Sequence, residues 1–207
     1  MKLSSIKNEK KKKNQPDDVD ADVDTSNTIG IMKVLEDAGL SENVLVNAAM
    51  ELYVPHPGVE TREIAEKVFK RELKHALSDP NLCILIYSGM LLEKAGEKGE
   101  LPGMSKEIFN KDLTFLIVDE VIGMSIAKYI SGDKGIFEYV RFDKLKPGIL
   151  STLGPFMDDV VAGLIGGASA NMYSRGKGDG TKHEKKKVKK TKARKSTTDI
   201  KAGGFAG

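Results

Sequence analysis

The sequence predicts an all-α fold, a compact single-domain bundle of about seven helices, and three observations support this prediction. Apolar residues recur at helical spacing along most of the chain. Residue types that favour helix starts and ends separate these segments. Alternating patterns typical of strands are almost absent, although a short strand over residues 83–87 is a competing interpretation of one apolar run.

Length and charge divide the chain into a helical domain and two charged ends. A chain of 207 residues is long enough for one domain with a substantial core. Residues 1–25 are predicted to be disordered, and residues 26–174 form the helical domain. Residues 175–207 carry 12 basic and three acidic residues and are predicted to form a disordered Lys-rich tail. The domain is therefore acidic although the whole chain has a net charge of +3.

The composition of the chain predicts its cellular compartment and its possible binding partners. The N-terminus lacks the apolar segment of a signal peptide, and no uninterrupted apolar run reaches the ~20 residues that span a bilayer. The single Cys83 lies in an apolar run, excludes an intrachain disulfide and is interpreted as a buried thiol. These observations predict a soluble, cytoplasmic protein. The tail over residues 176–201 is interpreted as solubilising, with contact to nucleic acid or an anionic membrane as the alternative.

Helix starts are predicted at residues whose side chains cap a first turn. The predicted capping residues are Ser26 or Asn27, Ser41, Thr61, Asp79 and Asp112. The final helix is predicted to start at Pro155, since proline suits the first helical position. The first helix is expected to end at Gly39. The run after Pro80 is nearly all apolar, so its helix is expected to lie at the centre of the fold. A short helix or turn is expected over residues 135–142, and the apolar helix end over residues 164–173 is a candidate dimer contact.

Two acid pairs interrupt apolar helical runs. Asp119 and Glu120 lie in the middle of the run over residues 113–130, and Asp158 and Asp159 open another. An ionised carboxylate in a dry interior is strongly disfavoured unless it is paired, protonated or bound to a metal. Charges at a helix start are the alternative explanation for the second pair, because the helix dipole favours acids there. The first pair is expected seven residues into its helix, where this alternative does not apply.

A glycine follows one acid of each pair by four residues. Gly123 follows Asp119, and Gly163 follows Asp159, so each glycine lies on the face of its carboxylate. A missing side chain leaves room there for something to approach. The sequence therefore predicts that the two helices face each other and hold a divalent cation, since Mg²⁺ prefers carboxylate oxygens and often binds substrate phosphates as well.

Basic residues lie between the two acid pairs. Arg141, Lys144 and Lys146 are suited to bind a phosphate, and Asp143 is suited to ligate a metal or to orient a partner. An exposed surface turn is the more common meaning of such a mixture. Two further candidates lie in a Pro-rich loop, His56 and Glu60. Motifs of other catalytic classes are missing, which leaves metal-assisted hydrolysis as the predicted chemistry.

Three ordered blocks resemble the signatures of the phosphatidylglycerophosphatase A superfamily. They are LIVDEVIGM over 116–124, YVRFDKLKPG over 139–148 and LGPFMDDVVAG over 153–163. The loop PHPGVET over 55–61 is similar to the N-terminal loop of that superfamily. The resemblance covers roughly residues 51–174 and implies an all-helical, magnesium-dependent phosphomonoesterase.

The resemblance also implies roles for individual residues and a substrate. Asp119, Glu120, Asp158 and Asp159 would be the metal and catalytic acids, with Asp119 and Asp159 foremost. Asp143 and Lys146 would be further site residues. Because spanning segments are missing, the chain looks most like the soluble archaeal α-ribazole phosphatases of the CobZ type, which remove a 5′-phosphate late in cobalamin assembly. A phospholipid phosphatase held at the membrane by the tail and a nucleic-acid-binding helical module are the alternatives.

Overall fold

Eight α-helices and one 3-10 helix make up the part of the chain that the computed structural model describes, residues 30–111 and 116–176. They are α1 (Ile31–Asp37), α2 (Glu42–Glu51), α3 (Arg62–Ala76), α4 (Pro80–Lys98), α5 (Lys106–Phe109), α6 (Val118–Ser131), α7 (Asp133–Leu145), the 3-10 helix (Gly148–Thr152) and α8 (155–176). The described residues form no β-strand. The all-α prediction is confirmed, and the alternative strand over residues 83–87 is wrong because α4 covers it.

Side-chain caps fix three of the helix starts at the predicted residues. The Ser41 hydroxyl accepts a hydrogen bond from the backbone N–H of Val44, and the Thr61 hydroxyl accepts one from Ile64. Asp79 accepts from the two N–H groups at the start of α4, where Pro80 holds the first helical position. Each cap satisfies backbone donors that the first turn leaves unpaired, a contribution of about 1 kcal/mol.

Helix α8 is the central element of the fold. Every residue from Phe156 to Met172 is buried, so the helix is enclosed on all sides by the rest of the chain. A helix that is apolar around its whole circumference is expected to occupy such a place. Residues 164–172 belong to this buried stretch, so the dimer contact predicted for this helix end finds no exposed surface there.

Helices α6 and α8 face each other as predicted, and their glycines bring the backbones together. A Cβ added at Gly163 would lie 2.3 Å from the carbonyl oxygen of Gly123. A Cβ added at Gly123 would lie 2.6 Å from the carbonyl oxygen of Asp159. The space that the glycines leave is therefore filled by the neighbouring helix. Small residues allow this close approach, which no larger side chain would permit.

Helices α4 and α6 are less buried than their composition predicts. Ile84 on α4 is 68% exposed, and Val121 on α6 is 49% exposed. The prediction that α4 occupies the centre is therefore wrong, since α8 takes that position and α4 and α6 pack beside it with only their inner faces. Their outer faces remain apolar and exposed.

Two element boundaries differ from those predicted. Helix α6 begins at Val118, because residues 116–117 are not helical, and the predicted start at Asp112 lies outside the described residues. Helix α7 continues for 13 residues rather than one or two turns. The predicted first-helix start at Ser26 or Asn27, the N-terminal segment over residues 1–25 and residues 177–207 of the tail also lie outside the described residues. Among the helices that are described, none is long and apolar enough to cross a membrane.

Candidate functional site

The candidate site lies where the first turns of α6 and α8 meet the end of α7. Gly123 packs against Gly163 and Ile130 against Gly167, so α6 and α8 run in the same direction. Helix α7 runs the opposite way, because its Tyr139 packs against Gly166 while the residue after its end, Lys146, reaches Asp158. The two acid pairs therefore start at the same end of the molecule, as the sequence predicts.

Asp158 is buried and bound to a lysine. Its side chain is 7% exposed, and its Oδ2 accepts a short hydrogen bond from Lys146 Nζ. Its Oδ1 accepts a second hydrogen bond, 2.7 Å long, from the backbone N–H of Asp159. Lys146 adopts a left-handed backbone conformation with φ of 39°, which is rare for a residue with a side chain and recurs at functional sites. This conformation ends α7 and directs the lysine toward the acid.

Asp159 is buried beside a tyrosine. Its Oδ1 accepts a hydrogen bond of 2.5 Å from the Tyr139 hydroxyl. Burial and the negative charges of Asp158, Asp143 and Asp119 raise the pKa of Asp159 to about 7, although the Tyr139 hydrogen bond opposes this shift. Burial and the same hydrogen bond raise the pKa of Tyr139. A carboxyl group with a pKa near neutrality can both take up and release a proton under ordinary conditions.

Asp119 and Glu120 occupy the first turn of α6. Asp119 is 3% exposed and accepts a hydrogen bond of 2.9 Å from the backbone N–H of Glu120, while Glu120 is exposed. The expectation that this pair lies deep within its helix is wrong, because α6 starts at Val118. The helix dipole therefore favours these acids as it favours Asp158 and Asp159. Because Asp119 is buried, its carboxylate charge must be compensated by hydrogen bonds or by positive charge. Its position along the helix gives no such requirement.

The remaining predicted site residues divide into two groups. Asp143 lies close enough to contribute to the electrostatic field at Asp159, and Lys144 is exposed near the end of α7. Arg141 instead binds Glu138 and the carbonyl oxygen of Leu52, so it ties α7 to the end of α2.

His56 and Glu60 lie at the other end of α8. The His56 ring packs edge-on against Tyr173, and Glu60 accepts a hydrogen bond of 2.8 Å from the backbone N–H of Gly58. Tyr173 lies 14 positions after Asp159, roughly 21 Å along a helix. The structure therefore does not bring His56 and Glu60 together with the acid pairs.

Glu93 is a residue beside the candidate site that the sequence reasoning missed. This α4 side chain is 8% exposed, and its Oε2 accepts hydrogen bonds from the backbone N–H groups of Phe156 and Met157, at 2.8 and 3.1 Å. It thereby caps the first turn of α8, where Asp158 and Asp159 lie. Gly154 leaves the space that it needs, because a Cβ there would lie 1.8 Å from Glu93 Oε1. An isolated acid closing the long apolar run of α4 is the sequence signal that could have revealed it.

A cavity of about 460 Å³ opens beside Asp158 and Lys146. Glu93, Glu97 and Asn110 also line it. Cavities of this size commonly hold small ligands. A ligand in it would meet the Lys146 ammonium group, while the N-terminal N–H groups of α8 at Phe156 and Met157 are already bound by Glu93.

The carboxylates of Asp119, Asp158 and Asp159 are of the chemical type that binds a hard cation. Carboxylate oxygens are the ligands that Mg²⁺ prefers, and the crowded acids leave a negative field that raises the pKa of Asp159. Within residues 30–111 and 116–176, however, no three His, Cys, Asp or Glu side chains are arranged so that they could hold a metal ion. Lys146 supplies positive charge to Asp158, and Tyr139 binds Asp159.

We expect Glu93 to make the domain less stable as the pH rises. Burial raises its pKa above the ordinary value of 4.5, and its two backbone hydrogen bonds offset this only in part. The stability that Glu93 contributes is therefore complete below about pH 4.5 and falls as the pH rises through its raised pKa. Glu93→Gln keeps an acceptor but cannot ionise, so urea unfolding should show a smaller loss of stability between about pH 5 and 8 than in the wild type.

Glu36→Gln is the matched control for this prediction. Glu36 is exposed on α1, so its replacement should leave the wild-type pH dependence unchanged. An equal loss of stability in the wild type and in Glu93→Gln would contradict the assignment of this pH dependence to Glu93.

Comparison with known proteins gives one family and several relatives. The sequence model of the family described as "Phosphatidylglycerophosphatase A" matches residues 44–174. Uncharacterized protein MJ1330 of Methanocaldococcus jannaschii is 35% identical over 132 residues, which are 62% of this chain and 99% of that protein. Uncharacterized protein YutG of Bacillus subtilis is 30% identical over 144 residues, which are 57% of this chain and 84% of that protein.

Solved structures share the fold. The low temperature requirement C protein from Listeria monocytogenes superposes with a TM-score of 0.60 at 25% identity, covering 70% of this chain and 92% of that one. A protein of unknown function from Bacillus stearothermophilus superposes with a TM-score of 0.59 at 26% identity, covering 70% of this chain and 96% of that one. Both alignments leave about the same share of this chain unmatched.

Proposed function

Because this chain belongs to the phosphatidylglycerophosphatase A family, which implies phosphatase activity, we propose that it is a Mg²⁺-dependent phosphomonoesterase acting on a small soluble phosphate ester. The observation that carries the proposal is a cavity lined by buried Asp158 and by Lys146, which bind each other. Asp159 follows Asp158 on α8, and Asp119 is buried close enough to act on its charge. This combination brings carboxylates and a cation for phosphate to one end of the molecule.

Asp119, Glu120, Asp158 and Asp159 would hold the metal ion. A bound divalent cation polarises the phosphoryl group and lowers the pKa of a coordinated water. The positive charge of the cation would compensate the Asp158 carboxylate in place of Lys146. Lys146 could then bind the substrate phosphate. Another divalent cation that prefers oxygen ligands would bind to the same carboxylates.

The chain's own side chains have distinct parts in the proposed reaction. Lys146 binds the substrate phosphate, because its side chain lines the cavity and is 39% exposed. Asp159 takes the proton of the attacking water, as an ionised carboxylate within reach of that water can. Tyr139 holds the Asp159 carboxyl group in place through its hydroxyl. Asp143 contributes negative charge to the same field.

We propose α-ribazole 5′-phosphate, or the corresponding phosphorylated cobamide, as the substrate, and hence a role in cobalamin biosynthesis. The stretches over residues 51–61, 76–81, 134–150 and 154–165, which resemble the CobZ-type enzymes, support this choice. The described helices include none suited to crossing a membrane, and a cavity of about 460 Å³ is large enough for a ribosyl phosphate group.

A lipid substrate is the second candidate, and the description of the matched family favours it. Under this alternative the chain hydrolyses phosphatidylglycerophosphate at a membrane surface, with the basic tail as its anchor. Deleting residues 177–207 would then reduce both vesicle binding and activity on the lipid, whereas activity on α-ribazole 5′-phosphate would not depend on the tail.

Phosphate release from both substrates, with Mg²⁺ and with excess chelator, tests the proposal. We expect release from α-ribazole 5′-phosphate that needs Mg²⁺ and survives deletion of residues 177–207. Faster release from phosphatidylglycerophosphate in mixed micelles would favour the lipid substrate. Equal activity with and without chelator would exclude the metal-dependent mechanism, and no activity on either ester would overturn both substrates.

We expect Lys146→Met to weaken substrate binding more than it slows turnover. A hydrogen bond to a charged group contributes about 1.5–3 kcal/mol, so KM should rise roughly 10- to 100-fold. Lys128→Met is the matched control, because Lys128 is 65% exposed toward the other end of α6. Steady-state kinetics at saturating Mg²⁺ distinguish the two constants. An unchanged KM in Lys146→Met would remove this residue from the phosphate site.

A further inference from the structure

The outer faces of α4 and α6 carry most of the exposed large hydrophobic side chains of the described chain. Seven of the twelve such side chains lie there, each between 43% and 68% exposed. They are Ile84, Tyr87, Leu91, Ile117, Val118, Val121 and Tyr129, and we refer to them together as the α4–α6 face. Monomeric soluble proteins rarely expose large contiguous apolar patches, and such patches commonly mark interaction sites.

The residues of the α4–α6 face lie side by side on two neighbouring helices. The Tyr129 hydroxyl near the end of α6 donates a hydrogen bond of 2.9 Å to Asp79 at the start of α4. Further along, a Cβ at Gly89 would lie 3.8 Å from Ile122. The helices are therefore adjacent and antiparallel. On α4 the exposed apolar residues are spaced by three and four, and on α6 Val118, Val121 and Tyr129 are spaced by three and eight. Both sets of spacings place the residues of a helix on one stripe.

The centre of the α4–α6 face is free of charge. From Pro80 to Leu91 the exposed positions of α4 are all uncharged, and on α6 the exposed Ser125 completes the stripe. The exposed charged residues Lys94, Glu120 and Lys128 flank this apolar centre. Two copies of such a surface can meet through their apolar centres. A contact between identical surfaces around a twofold axis is the commonest way in which proteins form oligomers.

We propose that the α4–α6 face binds the same face of a second copy of this chain. Seven large side chains that are about half exposed offer on the order of 700 Å², close to the ~800 Å² that each partner contributes to a standard interface. Two antiparallel helices from each copy would then form a four-helix contact, an arrangement that buries an apolar stripe from every helix. The proposal does not depend on the proposed phosphatase activity.

A second copy explains this face better than a membrane does. Segments that lie on anionic membranes typically surround their apolar face with Lys and Arg. Here the exposed charged residues beside the face are Lys94, Glu120 and Lys128, and residues 28–174 hold 15 basic against 21 acidic residues. Ile117, Val118 and Val121 lie within two positions of Asp119. The second copy would therefore lie beside the first turn of α6.

The oligomeric state of the full chain tests this proposal. Light scattering coupled to size exclusion, from about 1 to 100 µM, should give twice the chain mass, with the monomer appearing on dilution. Val121→Glu places a charge within the face and should raise the dissociation constant of the dimer at least ~30-fold, the loss typical of a central interface residue. Tyr87→Glu should act in the same way from α4. Phe137→Glu, at a side chain that is 76% exposed on α7, is the matched control and should leave the dimer intact.

Cross-linking gives a second measurement that does not depend on a disruptive variant. In a Cys83→Ser background, a flexible bis-maleimide should couple Ser125→Cys chains into dimers and should couple Phe137→Cys chains much less. The proposal is overturned by a wild-type monomer at 100 µM, by a dimer that both Glu variants leave intact, or by preferred coupling through position 137. Wild-type binding to anionic vesicles that Val121→Glu abolishes, without any dimer, would assign the face to a membrane instead.

Discussion

Replacing Asp159 with Asn should lower kcat by roughly 10²- to 10⁴-fold, the range over which a positioned acid or base accelerates a reaction. Asn has nearly the same shape and can still accept the hydrogen bond of the Tyr139 hydroxyl. It cannot take up a proton or ligate a cation as a carboxylate does. The loss should therefore appear in turnover while the fold is retained. Phosphate release under saturating Mg²⁺ and thermal unfolding of the same sample measure the two effects separately.

Asp119→Asn should behave like Asp159→Asn, because both carboxylates are buried at the same end of the molecule. Asp133→Asn is the control, since Asp133 is 83% exposed at the start of α7 and pairs only loosely with Lys128, at 3.8 Å. Normal turnover in both site variants would exclude these acids from the reaction. Loss of activity together with loss of fold would assign them a structural part instead.

The second large effect concerns the contact between α6 and α8. Helix propensity alone predicts that Gly163→Ala stabilises the protein by about 1 kcal/mol, because alanine is the better helix former. The structure predicts the opposite sign, since the new Cβ would lie 2.3 Å from the backbone oxygen of Gly123. Forcing a methyl group into a packed interface costs about 1–3 kcal/mol. Urea denaturation should therefore show a lower free energy of unfolding for Gly163→Ala than for the wild type.

Gly30→Ala is the control for this prediction. Gly30 has a negative φ and no atom within 4 Å of an added Cβ. As a helix cap it should tolerate alanine with a change of no more than about 1 kcal/mol. If Gly163→Ala were as stable as the wild type or more stable, the close approach of the two helices would be wrong. Because Asp159 and Asp119 lie one turn before these glycines, separation of α6 and α8 should also reduce activity.

Local signals in the sequence predicted the helix starts and the pairing of α6 with α8 for a physical reason. Ser41, Thr61 and Asp79 cap helices through their own first turns, so the information lies within a few residues. The pairing of α6 with α8 followed from Gly123 and Gly163, because only a close approach or a ligand calls for a gap on an apolar face.

Features that depend on distant parts of the chain were not predicted. Tyr139 meets Asp159 across 20 residues, and Glu93 meets Phe156 across 63 residues. Neither separation has a periodic signature. The exposure of α4 was missed for the same reason, since composition records how apolar a helix is and not which neighbour covers it. The start of α6 was predicted too early because residues 116–117 are as apolar as the helix that follows them.

The enclosure of α8 has a consequence for how this protein is made. The element that all the others surround is encoded last among the described helices, so a ribosome has released most of the chain before it appears. Until then the inner faces of α4, α6 and α7 have no helix to pack against, and chains arrested before residue 155 would carry unsatisfied apolar surface. Domains are generally completed as units during synthesis, and surface exposed in the interval promotes aggregation. Expression of chains that stop before α8 should therefore yield inclusion bodies rather than a smaller folded core.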